Sequence, residues 1–216
     1  MNFALGTKFI DYCVCRLRGG MEINMKVTFL GDSIRFGAGD QIAGYGKRAA
    51  ELLGPDFEVF QPNDNCRFAK YTLRMLFDYA EAIKGSRIVH FNCGHWDLCE
   101  LFGDGTFSTE EEYVENLVRI ARILKSRCDV VIFATTTPVL DANPYNKNST
   151  ICRFNEIAVE AMKREGVIIN DLHALLADDK EKYILASDNI HLTSEGVEVC
   201  ARAVANIVAA EAEKLG

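Results

Sequence analysis

KVTFLGDSIRFGAG, Lys26 to Gly39, is the stretch from which the rest of the chain can be read. Val27 to Leu30 is a short apolar run that reads as a buried strand. Gly31 ends it, and Ser33 lies just past the end. In an open α/β sheet, ligands bind outside the carboxyl ends of the strands. A serine at that edge can act as a nucleophile if a base reaches it.

Outward from this strand the pattern alternates. The spacing predicts a helix over Ile42–Leu53, closed by Gly54-Pro55, then a short strand Phe57–Phe60 and a loop over 61–67. Phe68, Thr72, Met75, Leu76, Tyr79 and Ile83 share one helical face, so a helix is expected over 68–83. Ile88–Asn92 reads as a third strand with its exit at Cys93-Gly94-His95-Trp96-Asp97. Glu110–Lys125 is the clearest amphipathic helix, with a Tyr113, Leu117, Ile120, Leu124 stripe and acidic residues at its N-terminal end. Asp129–Ala134 is the most hydrophobic strand. Residues 139–149 read as a loop, Ile151–Glu165 as a helix, Val167–Asn170 as a fifth strand and Leu172–Leu176 as a short helix. Asp178–Asn189 is irregular by composition. The last helix, Thr193–Leu215, has Thr193 as its cap and Leu192 with Val197 as a hydrophobic staple. Strand and helix alternate five times with near-continuous apolar strands. The expectation is a doubly wound α/β fold: a five-stranded parallel sheet covered on both faces, in one domain over residues 25–216.

The chain has 216 residues and a net charge of -7. That charge disfavours nucleic acid or an anionic membrane as partner, since both reward clustered Lys and Arg. No apolar run approaches the ~20 residues of a membrane span. The eight cysteines are scattered with no C-x-x-C, several inside apolar runs, so a structural zinc site is not expected. Reduced thiols in the cytoplasm are the simplest account. Residues 1–24 carry neither a secretory pattern nor the α/β pattern, and they read as a poorly anchored extension.

Asp188-Asn189-Ile190-His191 lies immediately before the last helix. Asp and His three residues apart in a turn can sit side by side, so that the carboxylate fixes the imidazole tautomer. The functional reading is Ser33 as nucleophile, His191 as base and Asp188 as its orienter. Each piece has a plainer reading alongside: a Gly-Asp-Ser turn bonds its own backbone, and Asp188-Asn189 also suits a helix cap. His90, inside a strand, reads as a satisfied core histidine, His173 as structural, and His95 as a lone imidazole near the site. Gly37-Ala38-Gly39 does not fit a dinucleotide fingerprint.

Gly31-Asp32-Ser33-Ile34, Gly94 with Asp97 after the third strand, and D-x-x-H at 188–191 together resemble the SGNH, or GDSL-type, hydrolase superfamily. The order and spacing match from Lys26 to about Val208. The block Asn155-Glu156-Ile157-Ala158 is also similar to a helix start in small esterases of that superfamily. The resemblance implies a flavodoxin-like three-layer sandwich and hydrolysis of esters through an acyl-serine, with no metal and no cofactor. Carried over by position, Ser33 is nucleophile, Asp188 acid member and His191 base. The family glycine whose N–H faces the oxyanion falls in Asn65-Cys66-Arg67, with Cys66 at the matching place. The usual Gly-x-Asn-Asp reads Gly94-His95-Trp96-Asp97, so Trp96 stands where an amide donor is usual; this resembles a subset with Gly-x-Trp-Asp. Asn92 or Asn65 can supply the amide instead, Arg67 can bind an anionic substrate group, and Trp96 can pack or stack on a sugar.

The expected activity is that of a serine esterase or deacylase on a small-molecule or glycan ester, with the pocket formed by loops 61–67, 97–109 and 138–150. Two alternatives stay open: a binding relative that has lost turnover, and an acyltransferase using the same serine.

Overall fold

A computed structural model describes residues 24–216. The expected extension therefore falls almost wholly on residues 1–23, outside the described residues. In chain order the elements are β1 (Met25–Leu30), α1 (Ser33–Phe36), β2 (Gly37–Ala38), β3 (Ile42–Ala43), α2 (Tyr45–Leu53) and β4 (Phe57–Phe60). Then come α3 (Ala69–Asp78), α4 (Ala80–Ile83), β5 (Ile88–Asn92), α5 (Glu110–Lys125) and β6 (Val130–Ala134). The last are α6 (Asn148–Arg164), β7 (Ile168–Asn170), α7 (Leu172–Leu176), α8 (Lys180–Tyr183) and α9 (Ser194–Leu215).

Five strands form one parallel sheet in the order β4-β1-β5-β6-β7. Strand order reverses between β1 and β5, the switch point at which a doubly wound sheet opens a crevice at its carboxyl edge. Alternation along each strand sends side chains to two separate cores. Leu30, Val89, Phe91, Val131 and Phe133 face the layer of α3, α5 and α6. Val27, Phe29, Ile88, Ile132 and Ala134 face α2, α7 and α9. This is the expected doubly wound α/β sandwich, covered on both faces because its strands are apolar on both.

Four local expectations change. The helix expected over Ile151–Glu165 starts three residues earlier, at Asn148, inside the stretch read as a loop. The helix expected over Ile42–Leu53 starts at Tyr45, because Ile42–Ala43 pairs with Gly37–Ala38 in a small antiparallel ribbon. The helix expected over 68–83 breaks at Tyr79, whose backbone leaves the helical region at ψ 17°. A hydrophobic stripe continues across such a one-residue break, so periodicity did not show it. The irregular Asp178–Asn189 segment contains α8. The last helix is capped as read: the Gly196 N–H donates to Thr193 Oγ1 at 3.1 Å, and Leu192 and Val197 are both buried. Among the described residues, no helix is long and apolar enough to cross a membrane.

Candidate active site

Ser33 is the first residue of α1, directly after β1. Asp32 caps that helix, accepting the Ile34 N–H on Oδ1 at 2.9 Å. The turn holds Ser33 at the carboxyl edge of the sheet. His191 reaches it from 158 residues away, with Nε2 at 2.9 Å from Ser33 Oγ. Its other ring nitrogen, Nδ1, lies 2.9 Å from Asp188 Oδ2. A carboxylate only accepts, so the proton belongs on Nδ1 and the lone pair on Nε2 faces the serine hydroxyl. Asp188 Oδ1 accepts the N–H groups of both Ile190 and His191, each at 3.0 Å. Partial burial acts to raise the Asp188 pKa, but these two N–H groups and the imidazole outweigh it and hold the carboxyl below its usual value. Asn189 takes a positive φ of 63° inside this turn, a conformation asparagine tolerates well.

The residues expected to serve an oxyanion are placed differently from one another. The Cys66 N–H, expected to face the oxyanion, instead donates to Gly31 O at 3.0 Å. It fastens the 61–67 loop to the end of β1 and is not free. Asn92 is likewise corrected as a candidate donor. Its Nδ2 donates to Asp32 Oδ1 at 2.8 Å and its Oδ1 accepts the Tyr45 hydroxyl at 2.7 Å. Asn65 differs. Its Oδ1 accepts the Arg67 N–H at 2.8 Å, while its Nδ2 has no hydrogen-bond partner among the described residues. Arg67 follows at a positive φ of 50°, strained for a non-glycine residue, and its guanidinium lies 4.9 Å from the centre of the Tyr71 ring. The N–H of Ser33, at the first position of α1, has no carbonyl one turn back to take it.

The exit of β5 is built for close packing. A Cβ on Gly94 would overlap the Thr136 hydroxyl at the end of β6. Trp96 is 41% exposed. Asp97 is buried and accepts the Ala69 N–H at 3.0 Å and the Ser108 hydroxyl at 3.0 Å, which ties the 97–108 loop to the start of α3. Burial pushes its carboxyl up to about 7 against those two donors. Burial likewise pushes Asp32 up to about 6, against the Ile34 N–H and the Asn92 amide. His95 and His90 are buried away from solvent. His95 is bracketed by Thr137 Oγ1 at 3.0 Å and Asn146 Nδ2 at 3.2 Å, and burial lowers its pKa to about 3. His90, expected to be fully satisfied, is not: Nε2 meets Asn170 Nδ2 at 3.2 Å, but Nδ1 is buried without a partner. Burial raises the pKa values of Cys66, Cys93 and Cys99 and keeps these thiols protonated. No group of three His, Cys, Asp or Glu side chains among the described residues is arranged to hold a metal ion. The open groove between α5 and α6, floored by Val114, Val118 and Ile157, contains none of the candidate residues.

Sequence reading passed over Arg35, which is buried two residues after Ser33. Its signal was present: a cation two residues past the serine, between the apolar Ile34 and Phe36. The Asp32–Asn92–Tyr45 chain had no such signal, because its members lie on three elements.

The model of the GDSL-like Lipase/Acylhydrolase family matches residues 29–199. No curated protein matches the sequence. Among solved structures, the fold is similar to a lipase/acylhydrolase from Enterococcus faecalis, with a TM-score of 0.72 at 17% identity over 85% of this chain and 94% of that one. It is similar to the acetyl xylan esterase AlAXEase, with a TM-score of 0.70 at 19% identity over 85% of this chain and 99% of that one. A catalytic mutant of an acetylxylan esterase from Geobacillus stearothermophilus gives a TM-score of 0.66 at 17% identity, covering 85% and 94% of the two chains. At such identities these likenesses speak for the fold.

Proposed function

The chain belongs to the GDSL-like lipase/acylhydrolase family, whose members are ester-cleaving serine hydrolases, and from that premise we propose that it is a serine esterase or deacylase releasing a small acyl group from a carbohydrate-borne ester. The observation that carries this reading is the Ser33–His191–Asp188 chain, two contacts of 2.9 Å each joining both ends of the domain.

In the proposed mechanism Ser33 Oγ attacks the acyl carbon while its proton passes to His191 Nε2. Asp188 stabilises the imidazolium that results. The carbonyl oxygen gathers negative charge, met by the Ser33 N–H and the free amide of Asn65. His191 then returns the proton to the departing alcohol oxygen, the ester C–O bond breaks and an acyl-serine remains. Water adds to the acyl-serine, gives its proton to the same imidazole, and the acid leaves as Ser33 Oγ is reprotonated. The reading calls on no cofactor. Trp96 replaces the family's amide donor as a member of a Gly-x-Trp-Asp subset. Its exposed indole offers a face on which a sugar ring can stack. Support for a carbohydrate comes from the similar structures described as acetyl xylan esterases. The cytoplasmic location is also part of the proposal and rests on the scattered thiols.

Ser33→Ala tests it. The wild type is expected to hydrolyse p-nitrophenyl acetate and acetylated xylo-oligosaccharides, and the variant neither. A wild type that binds such esters without turnover would turn the reading into a binding relative. Acyl transfer to sugar hydroxyls in preference to water would turn it into an acyltransferase.

A further inference from the structure

Arg35 is 2% exposed, and among the described residues its guanidinium has no carboxylate in hydrogen-bond contact. A buried cation is costly unless it is paired or fully hydrogen-bonded, so its surroundings are informative. Here the partners are main-chain oxygens. Nη1 donates to Pro62 O at 3.1 Å, and Nη2 donates to Asp64 O at 2.6 Å and to Gly31 O at 3.2 Å. Cys66 Sγ lies 3.9 Å from the same Nη2. Nε has no partner.

These contacts join three segments: the end of β1, the helix that carries Ser33, and the loop that carries Asn65. The space for the side chain is made by glycine. A Cβ on Gly46 would overlap Gln61 Oε1 first and come within 2.8 Å of Arg35 Cδ, and one on Gly44 would overlap the Arg35 main-chain carbonyl, so both glycines let α2 approach Arg35 closely. Gln61 Nε2 ties the start of the loop to Gly46 O at 3.0 Å, on the same side. A guanidinium presents its N–H groups in a rigid planar fork and can hold several carbonyls at set angles. A lysine ammonium is a single point on a flexible stem. The buried Asp32 carboxyl is near enough to interact with the Arg35 charge, but the hydrogen bonds of the fork to oxygen go to the turn and the loop.

We propose that Arg35 is a positioning residue for ester hydrolysis: it clamps the 62–66 loop to the serine-bearing turn and so sets the Asn65 amide where charge develops on the substrate oxygen. The inference rests on the esterase reading. Preorganised donors act without reorganising at the moment of reaction, and a misplacement of about 1 Å costs on the order of 10²-fold in rate.

The test is kinetic, on the full chain, with p-nitrophenyl acetate. Arg35→Lys keeps the charge and loses the fork. It is expected to keep the wild-type circular dichroism and to lower kcat by about 10²-fold with KM within about threefold. Asn65→Ala is expected to lower kcat by about 10²-fold as well. Because both act on one donor, the double variant Arg35→Lys/Asn65→Ala is expected to be no slower than about threefold below the worse single variant. Losses that multiply would overturn the proposal, and so would an Arg35→Lys enzyme with wild-type kcat. Arg35→Gln, which keeps a polar side chain and loses the guanidinium fork, is a second variant should Arg35→Lys fail to fold; it must lower kcat more than it raises KM. Ser33→Ala run alongside separates the two ideas. Activity in that variant sinks the esterase reading, whereas an inert Ser33→Ala beside an unimpaired Arg35→Lys sinks only the clamp.

Discussion

In the proposed mechanism, the difference between a carboxylate and a carboxamide at Asp188 decides the chemistry. Asn at this position can keep Oδ1 on the Ile190 and His191 N–H groups, so the turn survives. Its NH2 would then face His191 Nδ1 and drive the ring proton to Nε2, where it can no longer take the serine proton. Asp188→Asn is therefore expected to fold normally and to lose about 10⁴-fold in kcat, the size of this tautomer effect in serine proteases. Kinetics on p-nitrophenyl acetate beside a circular dichroism spectrum check it, and a loss below tenfold would remove Asp188 from the mechanism. On the proposed reading, Trp96 is where the carbohydrate would be recognised. If its exposed indole stacks on sugar, Trp96→Ala raises KM for an acetylated xylo-oligosaccharide by about tenfold, a loss of stacking on the order of 1.4 kcal/mol, and leaves KM for p-nitrophenyl acetate alone. Equal effects on both substrates would argue against stacking.

At the level of elements, the start of α3 depends on a carboxyl from the β5 exit. Asp97 accepts the Ala69 N–H, and burial raises its pKa from 3.8 to about 7. A carboxyl whose folded pKa lies above its unfolded one contributes stability that is full below about 4 and lost as pH rises through about 7. Asp97→Asn removes this titration and keeps an acceptor for Ala69. The wild type should thus lose stability relative to the variant between pH 4 and pH 7, as read from urea midpoints at each pH. A difference that does not change with pH would show that Asp97 titrates at an ordinary value. The elements also show what was legible. β4, β5, α5 and α7 lie where apolar spacing and turn residues placed them, and β1 starts two residues earlier, at Met25. The start of α2 was missed because β2 and β3 are two residues each, too short for an alternating pattern to register. The break at Tyr79 was missed because Tyr79 and Ile83 continue the apolar stripe of α3.

For the molecule as a whole, the sheet begins at Met25, whose N–H donates to Asp56 O at 3.1 Å. We propose that residues 25–216 are the folding and catalytic unit. A chain shortened to begin at Met25 is expected to match the full chain in melting temperature and in kcat. A drop of more than a few degrees, or a loss of activity, would show that the preceding residues belong to the unit.

What the sequence determined by itself was everything written in short-range chemistry: strands apolar on both faces, helices with one apolar stripe, a serine just past the first strand, and an Asp and a His three residues apart in a turn before the last helix. Tertiary structure alone decided which donors stay free. Cys66 gives its N–H to Gly31, Asn92 is held between Asp32 and Tyr45, and Asn65 keeps an unspent amide. The physical reason is that a hydrogen-bond donor is used up by whichever acceptor the fold brings to it. Those acceptors lie tens of residues away, beyond the reach of any pattern along the chain.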